Sequence, residues 1–269
     1  MSEKVYMDKD IWVGILDAIR PKIFSNNQYV AGEVAGLINM LESPAIPPNL
    51  PNDGKIRIGY SMPATAPNKT ARLCYYGNTS GTAVVVDWGD GSALETYKGG
   101  GRKRLAHIYT DGAGCIITME VKSGSIKFGG GSASSLWESY AYEQNRIRWV
   151  VFGNAGIDSY ALYYGTAIRA VRLPAGMETI NTYALSNCIA LEELDIPATV
   201  TSIEANALNG ARNLLRLRFN SETPPTVASS TAFNSLPADC VISVPTGKMS
   251  AYTSAENYPS SDNYTYVEE

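Results

Sequence analysis

The sequence predicts a mainly β fold that opens with a short helical segment, continues as a β-sandwich and ends as a solenoid. Three observations predict it. The first 44 residues carry apolar residues at helical spacing, and short β-prone runs separated by Gly, Pro and Asn follow them. In the C-terminal half an apolar pattern repeats every 23 residues. Such a fixed period is typical of a solenoid, in which each coil buries its apolar edge against its neighbours.

The N-terminal segment, residues 1–44, is predicted to form two short helices that serve attachment or oligomerisation. Apolar stripes of helical spacing lie at residues 11–19 and 30–41, and Pro21 ends the first helix. Helices of about 12 residues are marginal alone in water. We therefore expect these two to pack on another domain or another copy of the chain. Residues 45–54 are rich in proline and predict a stiff linker.

The middle segment, residues 55–128, is predicted to form a β-sandwich. Residues 129–144 are predicted to form a linker and the N-terminal cap of the solenoid. Residues 55–128 resemble the PKD-like sandwich in Val86-Asp-Trp-Gly-Asp-Gly-Ser92, in His107-Ile108-Tyr109, and in Gly114 followed by the alternating strand Ile116-Ile-Thr-Met-Glu-Val121. The resemblance implies a PKD/Ig-like fold that acts as a spacer. The predicted strands are residues 55–60, 71–76, 83–88 and 115–121.

The repeat places apolar residues in register over at least three copies, and an imperfect first copy begins with a strand at residues 147–152. Each copy alternates apolar and polar residues, as a strand with one buried face does. The columns are Ile157, Ile180 and Ile203; Ala161-Leu162, Ala184-Leu185 and Ala207-Leu208; Ile168, Leu191 and Leu214; Val171, Leu194 and Leu217; and Leu173, Ile196 and Phe219.

Two stretches of the repeat carry a resemblance to a family. Ile180-Asn-Thr-Tyr-Ala-Leu-Ser-Asn-Cys-Ile-Ala-Leu191 and Ile196-Pro-Ala-Thr-Val-Thr-Ser-Ile203 resemble the BspA-like leucine-rich repeat. That family places Phe where this chain has Leu162, Leu185 and Leu208, which alters packing but not layout. The resemblance implies a leucine-rich-repeat solenoid over residues 145–269, closed by a C-terminal cap.

Aromatic residues form the candidate ligand-binding surface. Tyr160 and Tyr183 share a repeat column, and a column of equivalent positions lines one side of a solenoid. Amphipathic rings there suit the recognition of a protein or a sugar. The alternative is that the rings fill the joint between sandwich and solenoid. The candidate residues are Trp137, Tyr140, Tyr142, Tyr160, Tyr163, Tyr164 and Tyr183.

The sequence predicts no catalytic residue, no cofactor and no metal. His107 is the only histidine, and no nucleophile motif accompanies it, so a structural hydrogen bond is expected. Asp87, Asp90 and Asp111 match no calcium loop and are expected to form turns. A glycan-active enzyme with paired carboxylates stays open, although no particular pair is indicated.

Cysteine and basic residues are also expected to be structural. The basic cluster at residues 102–104 follows three glycines and predicts a solvated hairpin tip. The four cysteines, which lack the common zinc spacings, are expected to be buried and free, although a Cys74–Cys115 bridge remains open.

A net charge of −4 and a pI near 5.2 argue against nucleic acid and anionic membranes as partners. No run is long and apolar enough for membrane insertion, and the charged start predicts no secretory signal. Asp17-Ala18-Ile19-Arg20 is similar to the openings of phage and prophage tail-associated proteins.

That similarity leads us to expect a non-enzymatic fibre or receptor-binding component of a phage or prophage tail. It would be made in the host cytoplasm and be part of the virion. It would contact a protein or glycan on a bacterial surface, with its N-terminal helices binding other tail components or forming a homotrimer. The alternative is an extracellular adhesin on a bacterial cell surface that binds host protein or glycan.

Overall fold

A computed structural model describes residues 46–47, 50–61, 69–109, 114–130, 136–137 and 145–269. The predicted N-terminal helices lie outside these residues. The described part is almost entirely β, as expected: 17 strands are joined by one 3-10 helix, Ser230–Phe233, and one short helix α1, Met249–Thr253. Among the residues described, no helix is both long and apolar enough to cross a bilayer.

The middle segment forms two facing sheets. One is antiparallel in the order β1-β6-β3-β4, and the second runs β5-β2-β7. All four predicted strands are confirmed, while β4, β5 and β7 were not predicted. The PKD resemblance of this segment stays a prediction. The strands are β1 Ile56–Ser61, β2 Thr70–Gly77, β3 Ala83–Asp87, β4 Glu95–Lys98, β5 Gly101–Ile108, β6 Gly114–Ser123 and β7 Ile126–Phe128.

The basic cluster lies inside β5, so its prediction as a hairpin tip was wrong. Leu105 is buried opposite Leu73 of β2, which fixes the register of the pair. Arg102 and Arg104 point to the other face because side chains alternate along a strand.

The C-terminal segment forms a solenoid of parallel strands. One sheet runs in the order β8-β10-β12-β14-β16-β17 and a second runs β11-β13-β15. The predicted strand at residues 147–152 is confirmed as β8. The strands are β8 Ile147–Val151, β9 Gly156–Ile157, β10 Ala170–Arg172, β11 Thr179–Ile180, β12 Glu193–Ile196, β13 Ser202–Ile203, β14 Arg216–Phe219, β15 Thr226–Val227, β16 Val241–Val244 and β17 Thr265–Glu268.

The predicted columns stack from coil to coil. Ile180 pairs with Ile203, which pairs with Val227 in the next coil. Backbone hydrogen bonds join the Ala-Leu positions of successive coils, with Leu162 N donating to Ala184 O at 2.8 Å. All residues of the five columns are buried, which confirms that the repeat forms the solenoid core.

The sandwich and the solenoid share a sheet and a core. Strand β1 pairs antiparallel with β6 on one side and with β8 on the other, while β7 pairs with β9. Their buried side chains belong to one hydrophobic cluster. The first coil of the solenoid is therefore covered by the sandwich, which supplies the cap that a solenoid end requires.

The C-terminal cap is aromatic. Phe219 of β14 contacts Tyr252 of α1 at 5.2 Å and Tyr258 at 5.5 Å between ring centroids. Tyr258 also donates its hydroxyl hydrogen to Pro225 O at 2.9 Å. These contacts cover the last coil with rings whose polar ends are satisfied.

Candidate recognition surface

Each of three successive coils contains a turn with two residues in the left-handed backbone conformation. This conformation costs an L-residue with a Cβ about 1–2 kcal/mol, and Gly and Asn adopt it most readily. The third coil has Asn and Gly at these positions, whereas the first coil has two tyrosines. The φ values are 64° at Tyr160, 58° at Tyr183 and 59° at Asn206 in one column, and 61° at Tyr164, 59° at Asn187 and 83° at Gly210 in the other.

The turn is held by the backbone, which explains why tyrosine is tolerated in it. Within the first coil, Tyr163 N donates to Tyr160 O at 3.3 Å, and between coils Tyr164 N donates to Ser186 O at 3.0 Å. The Ala-Leu pair between the two left-handed residues is buried in the core. The surrounding structure therefore fixes the conformation whatever side chain occupies it.

Four tyrosines of these turns form the tyrosine cluster: Tyr160, Tyr163, Tyr164 and Tyr183. The rings of Tyr160 and Tyr183 stack at 4.9 Å with an interplanar angle of 18°. Tyr163 stands nearly perpendicular to both, at 5.2 Å and 5.7 Å. Tyr164 contacts Tyr163 at 4.5 Å and is 42% exposed. Burial and a hydrogen bond with Tyr164 raise the pKa of Tyr163 to about 12.

The nine turn positions that contain the cluster carry no charged side chain. We call these positions the turn face; it holds four tyrosines, three asparagines, one serine and one glycine. The closest charges along the chain are two residues away from these positions. Asp158 accepts a hydrogen bond from Lys127 Nζ at 2.7 Å, and Glu204 accepts one from Ser202 at 2.9 Å. Arg212, which is exposed, follows Gly210 by two residues. The turn face is Tyr160, Tyr163, Tyr164, Tyr183, Ser186, Asn187, Asn206, Asn209 and Gly210, of which Ser186 and Gly210 are buried.

The structure brings together four of the seven predicted surface residues. Trp137 is wrongly placed among them: it is 1% exposed and pairs with Leu73 of the sandwich sheet. Its ring fills the joint between sandwich and solenoid. This is the role that the alternative interpretation gave to all seven aromatic residues. Tyr140 and Tyr142 lie outside the described residues.

His107 has the structural role expected of it. Its Nε2 lies 2.7 Å from Asp90 Oδ2, and its ring stacks on Trp88 at 4.9 Å. Burial acts to raise the pKa of Asp90, but hydrogen bonds from Ser92 and His107 outweigh it and lower that pKa. Asp87 and Asp90 accept backbone bonds from Gly89 and Ser92, which confirms them as turn residues.

Asp111 lies outside the described residues. In the part of the chain that the structure describes, no group of three His, Cys, Asp or Glu side chains could hold a metal ion.

The four cysteines are free and buried, as expected, and Cys74 and Cys115 are not bridged. Cys115 Sγ donates to the hydroxyl of Tyr109 at 3.0 Å. Burial raises the pKa of the Cys115 and Cys188 thiols to about 12. Neither thiol is therefore a ready nucleophile.

A groove of about 520 Å³ between the first two coils was not predicted. Buried Ile157 and Met177 are among its lining residues, with exposed Glu178 beside them. The residue that could have indicated this groove from the sequence is Gly176. One repeat later Thr199 stands at this position, and its hydroxyl lies 2.8 Å and 2.7 Å from the Ala175 and Met177 carbonyl oxygens. Gly176 leaves that space open, with no atom within 4 Å of an added Cβ.

Comparison with known proteins adds a family match for the solenoid. No curated protein and no solved structure matches the chain. The BspA type leucine rich repeat region matches in six copies. Over residues 138–247, the chain is thus similar to the BspA-type leucine-rich repeats, and this segment contains the turn face.

Proposed function

We propose that the chain is a non-enzymatic recognition protein of the surface-adhesin type. Its solenoid would hold the turn face toward a protein or a glycan on a cell surface. The similarity to BspA-type repeats supports a surface-binding role for this segment. The observation that carries the proposal is the tyrosine cluster, three of whose members have left-handed backbones.

The energetic argument concerns what these tyrosines contribute to the fold. Each left-handed tyrosine costs about 1–2 kcal/mol of backbone strain relative to an ordinary conformation. Stacking of the Tyr160 and Tyr183 rings returns about 0.5–1.5 kcal/mol, which covers only part of that cost. The third coil makes the same turn with Asn206 and Gly210 at the two positions. Strained residues that the fold does not require point to a function.

Rigidity makes the cluster suitable for binding. The turn is tied to the neighbouring coil by backbone bonds such as Leu185 N to Ala207 O at 2.9 Å. Tyrosine has two side-chain torsions and supplies a large, amphipathic contact area at low entropic cost. Contacts among the four rings further restrict those torsions before any partner arrives.

The proposal is tested by adhesion. Fluorescently labelled chain is incubated with a panel of bacterial and mammalian cells, and bound fluorescence is measured by flow cytometry. We expect saturable binding to at least one cell type, reduced by Tyr164→Gly, which copies Gly210 of the third coil. Glu193→Gln, on the exposed outer side of β12, is the control and should bind normally. Absence of binding across the panel contradicts the proposal. Incubation of the chain with polysaccharides is a second assay, and release of a product there would contradict the non-enzymatic role.

The virion setting stays a prediction, because it depends on residues 1–44, which lie outside the described residues. A tail component and a cell-surface adhesin would both use the turn face for recognition. Neighbouring genes for capsid and tail proteins, together with a trimeric mass in solution, would favour the tail. Genes for secretion or anchoring beside a monomeric chain would favour the adhesin.

A further inference from the structure

We infer that the turn face binds an uncharged polysaccharide whose chain runs along the solenoid axis; this inference rests on the proposed recognition function. The first step concerns direction. Equivalent positions of successive coils repeat along the axis, and the stacked rings of Tyr160 and Tyr183 are spaced at 4.9 Å along it. A polymer of repeating units is the ligand that matches a repeating site.

The second step is the charge of the ligand. Aromatic platforms that bind single-stranded nucleic acid combine stacking with cations that follow the phosphates. None of the nine residues of the turn face is a cation, and the whole chain carries a net charge of −4. Arg212 follows Gly210 by two residues, but one cation in one coil does not form a row that could follow a charged polymer. An acidic polysaccharide would meet the same lack of compensating charge. The turn face is therefore a platform for a neutral ligand.

The third step is the hydrogen-bonding chemistry. The hydroxyl groups of Tyr and the amide groups of Asn both donate and accept, as sugar hydroxyls do. Ser186 is buried and donates its hydroxyl hydrogen to Asn209 O at 3.1 Å, so it does not face a ligand. Asn206 accepts one bond through its side-chain oxygen from Asn209 at 3.2 Å, which uses only part of the capacity of an amide. Protein interfaces, by contrast, are enriched in Arg as well as in Tyr and Trp. A face that has tyrosine and amides without arginine favours sugar over protein.

The outer side of the parallel solenoid sheet is a poorer candidate. It carries charged side chains that neutralise one another: Arg218 lies 3.6 Å from Asp195 and 2.8 Å from Glu269. A ligand would have to displace these ion pairs or leave them partly desolvated. The turn face imposes no such cost.

The experiment titrates the chain with short neutral oligomers of glucose, mannose, galactose and N-acetylglucosamine, and with an oligomer of galacturonic acid as the charged comparison. Binding is measured by calorimetry at about 50 mM and about 500 mM salt, a range over which screening changes strongly. We expect at least one neutral oligomer to bind with an affinity that changes less than about twofold, since no charge is involved.

The variants separate recognition from folding. Tyr160→Asn with Tyr183→Asn places at both positions the residue that the third coil has at 206, so the left-handed turn is kept. We expect this double variant to lose roughly tenfold or more in affinity, since two rings are removed, with its melting temperature close to the parent's. Tyr164→Gly is the second variant, because this side chain is exposed and its removal spares the core. Glu193→Gln should bind like the parent.

Several results would overturn the inference: no binding of any neutral oligomer, unchanged affinity in both tyrosine variants, or tighter binding of the acidic oligomer. Cells that bind the chain provide the last comparison. If periodate treatment of those cells leaves binding intact and protease treatment abolishes it, the partner is a protein. That outcome contradicts the inference of a polysaccharide ligand but is consistent with the proposed recognition function. Absence of binding to any cell contradicts both the inference and the proposed function.

Discussion

Two glycines of the solenoid show how strongly the effect of one added methyl group depends on its position in the repeat. Gly210 has a φ of +83°, and a Cβ there would lie 2.5 Å from Asn187 Oδ1. Gly176 has an ordinary φ, and a Cβ there would meet nothing within 4 Å. The first glycine is required by conformation and space, while the second is required by neither.

We predict opposite effects of Ala at these positions. Gly210→Ala should lower the free energy of unfolding by about 1–3 kcal/mol, because it adds left-handed strain and a close contact. Gly176→Ala should raise it by about 0.4–1 kcal/mol, because the unfolded chain loses conformational freedom. Urea unfolding at neutral pH measures both. Equal changes in the free energy of unfolding for the two substitutions would contradict the left-handed backbone at Gly210.

At the residue scale the sequence predicted burial better than backbone conformation. The apolar columns identified Ile180 and Ile203 as core because burial follows from spacing alone. The left-handed backbones of Tyr160 and Tyr183 were not predictable, since tyrosine itself disfavours that region and only the neighbouring coil imposes it. Trp137 was misplaced for a similar reason: its burial depends on Leu73, which is distant in the chain.

At the element scale, alternation predicted strands that bury one face, such as β6 and β12. Strand β4 was missed because its residues at positions 95–98 are only partly buried or exposed, so no apolar face marks it. Strand β1 was predicted, but its two partners were not. Pairing of Gly59 with both Ile116 and Trp149 is decided by contacts far apart in sequence.

The entry to β1 is fixed by an ion pair. Arg57, almost fully buried, donates from Nη1 to Asp53 Oδ1 at 2.8 Å and from Nη2 to Asp53 Oδ2 at 2.7 Å. Nη1 also donates to Pro51 O at 3.1 Å. This bidentate geometry lowers the pKa of Asp53 to about 2, chiefly through the hydrogen bonds from Arg57.

We predict an acid-dependent contribution of this pair to stability. The folded-state pKa of Asp53 is below the value of about 3.9 of an unfolded chain, so the contribution is present above that value. It is lost as the pH falls through about 2. Melting temperatures of the parent and of Asp53→Asn, recorded from neutral pH to strong acid, should differ most at neutral pH and converge in acid. A constant difference at every pH would contradict this role.

At the scale of the whole molecule, the sandwich and the solenoid are joined by the sheet that passes from β6 through β1 to β8. The ring of Trp149, fully buried, lies over Gly59 in this joint, and a Cβ at position 59 would come within 2.3 Å of its ring atoms. The buried side chains of both segments form one cluster. Cooperative unfolding of the two segments is expected, because neither has a separate core.

Gly59→Ala tests that cooperativity. The added methyl group must displace the Trp149 ring, which should cost about 1–3 kcal/mol, as overpacking typically does. Hydrogen exchange measured by mass spectrometry then reports on two places far from the joint, β3 in the sandwich and β14 in the solenoid. We expect protection in both strands to fall by the same factor, since both exchange through the same global opening. If β3 loses protection while β14 keeps the parent's value, the solenoid is stable without the sandwich and the two segments unfold independently.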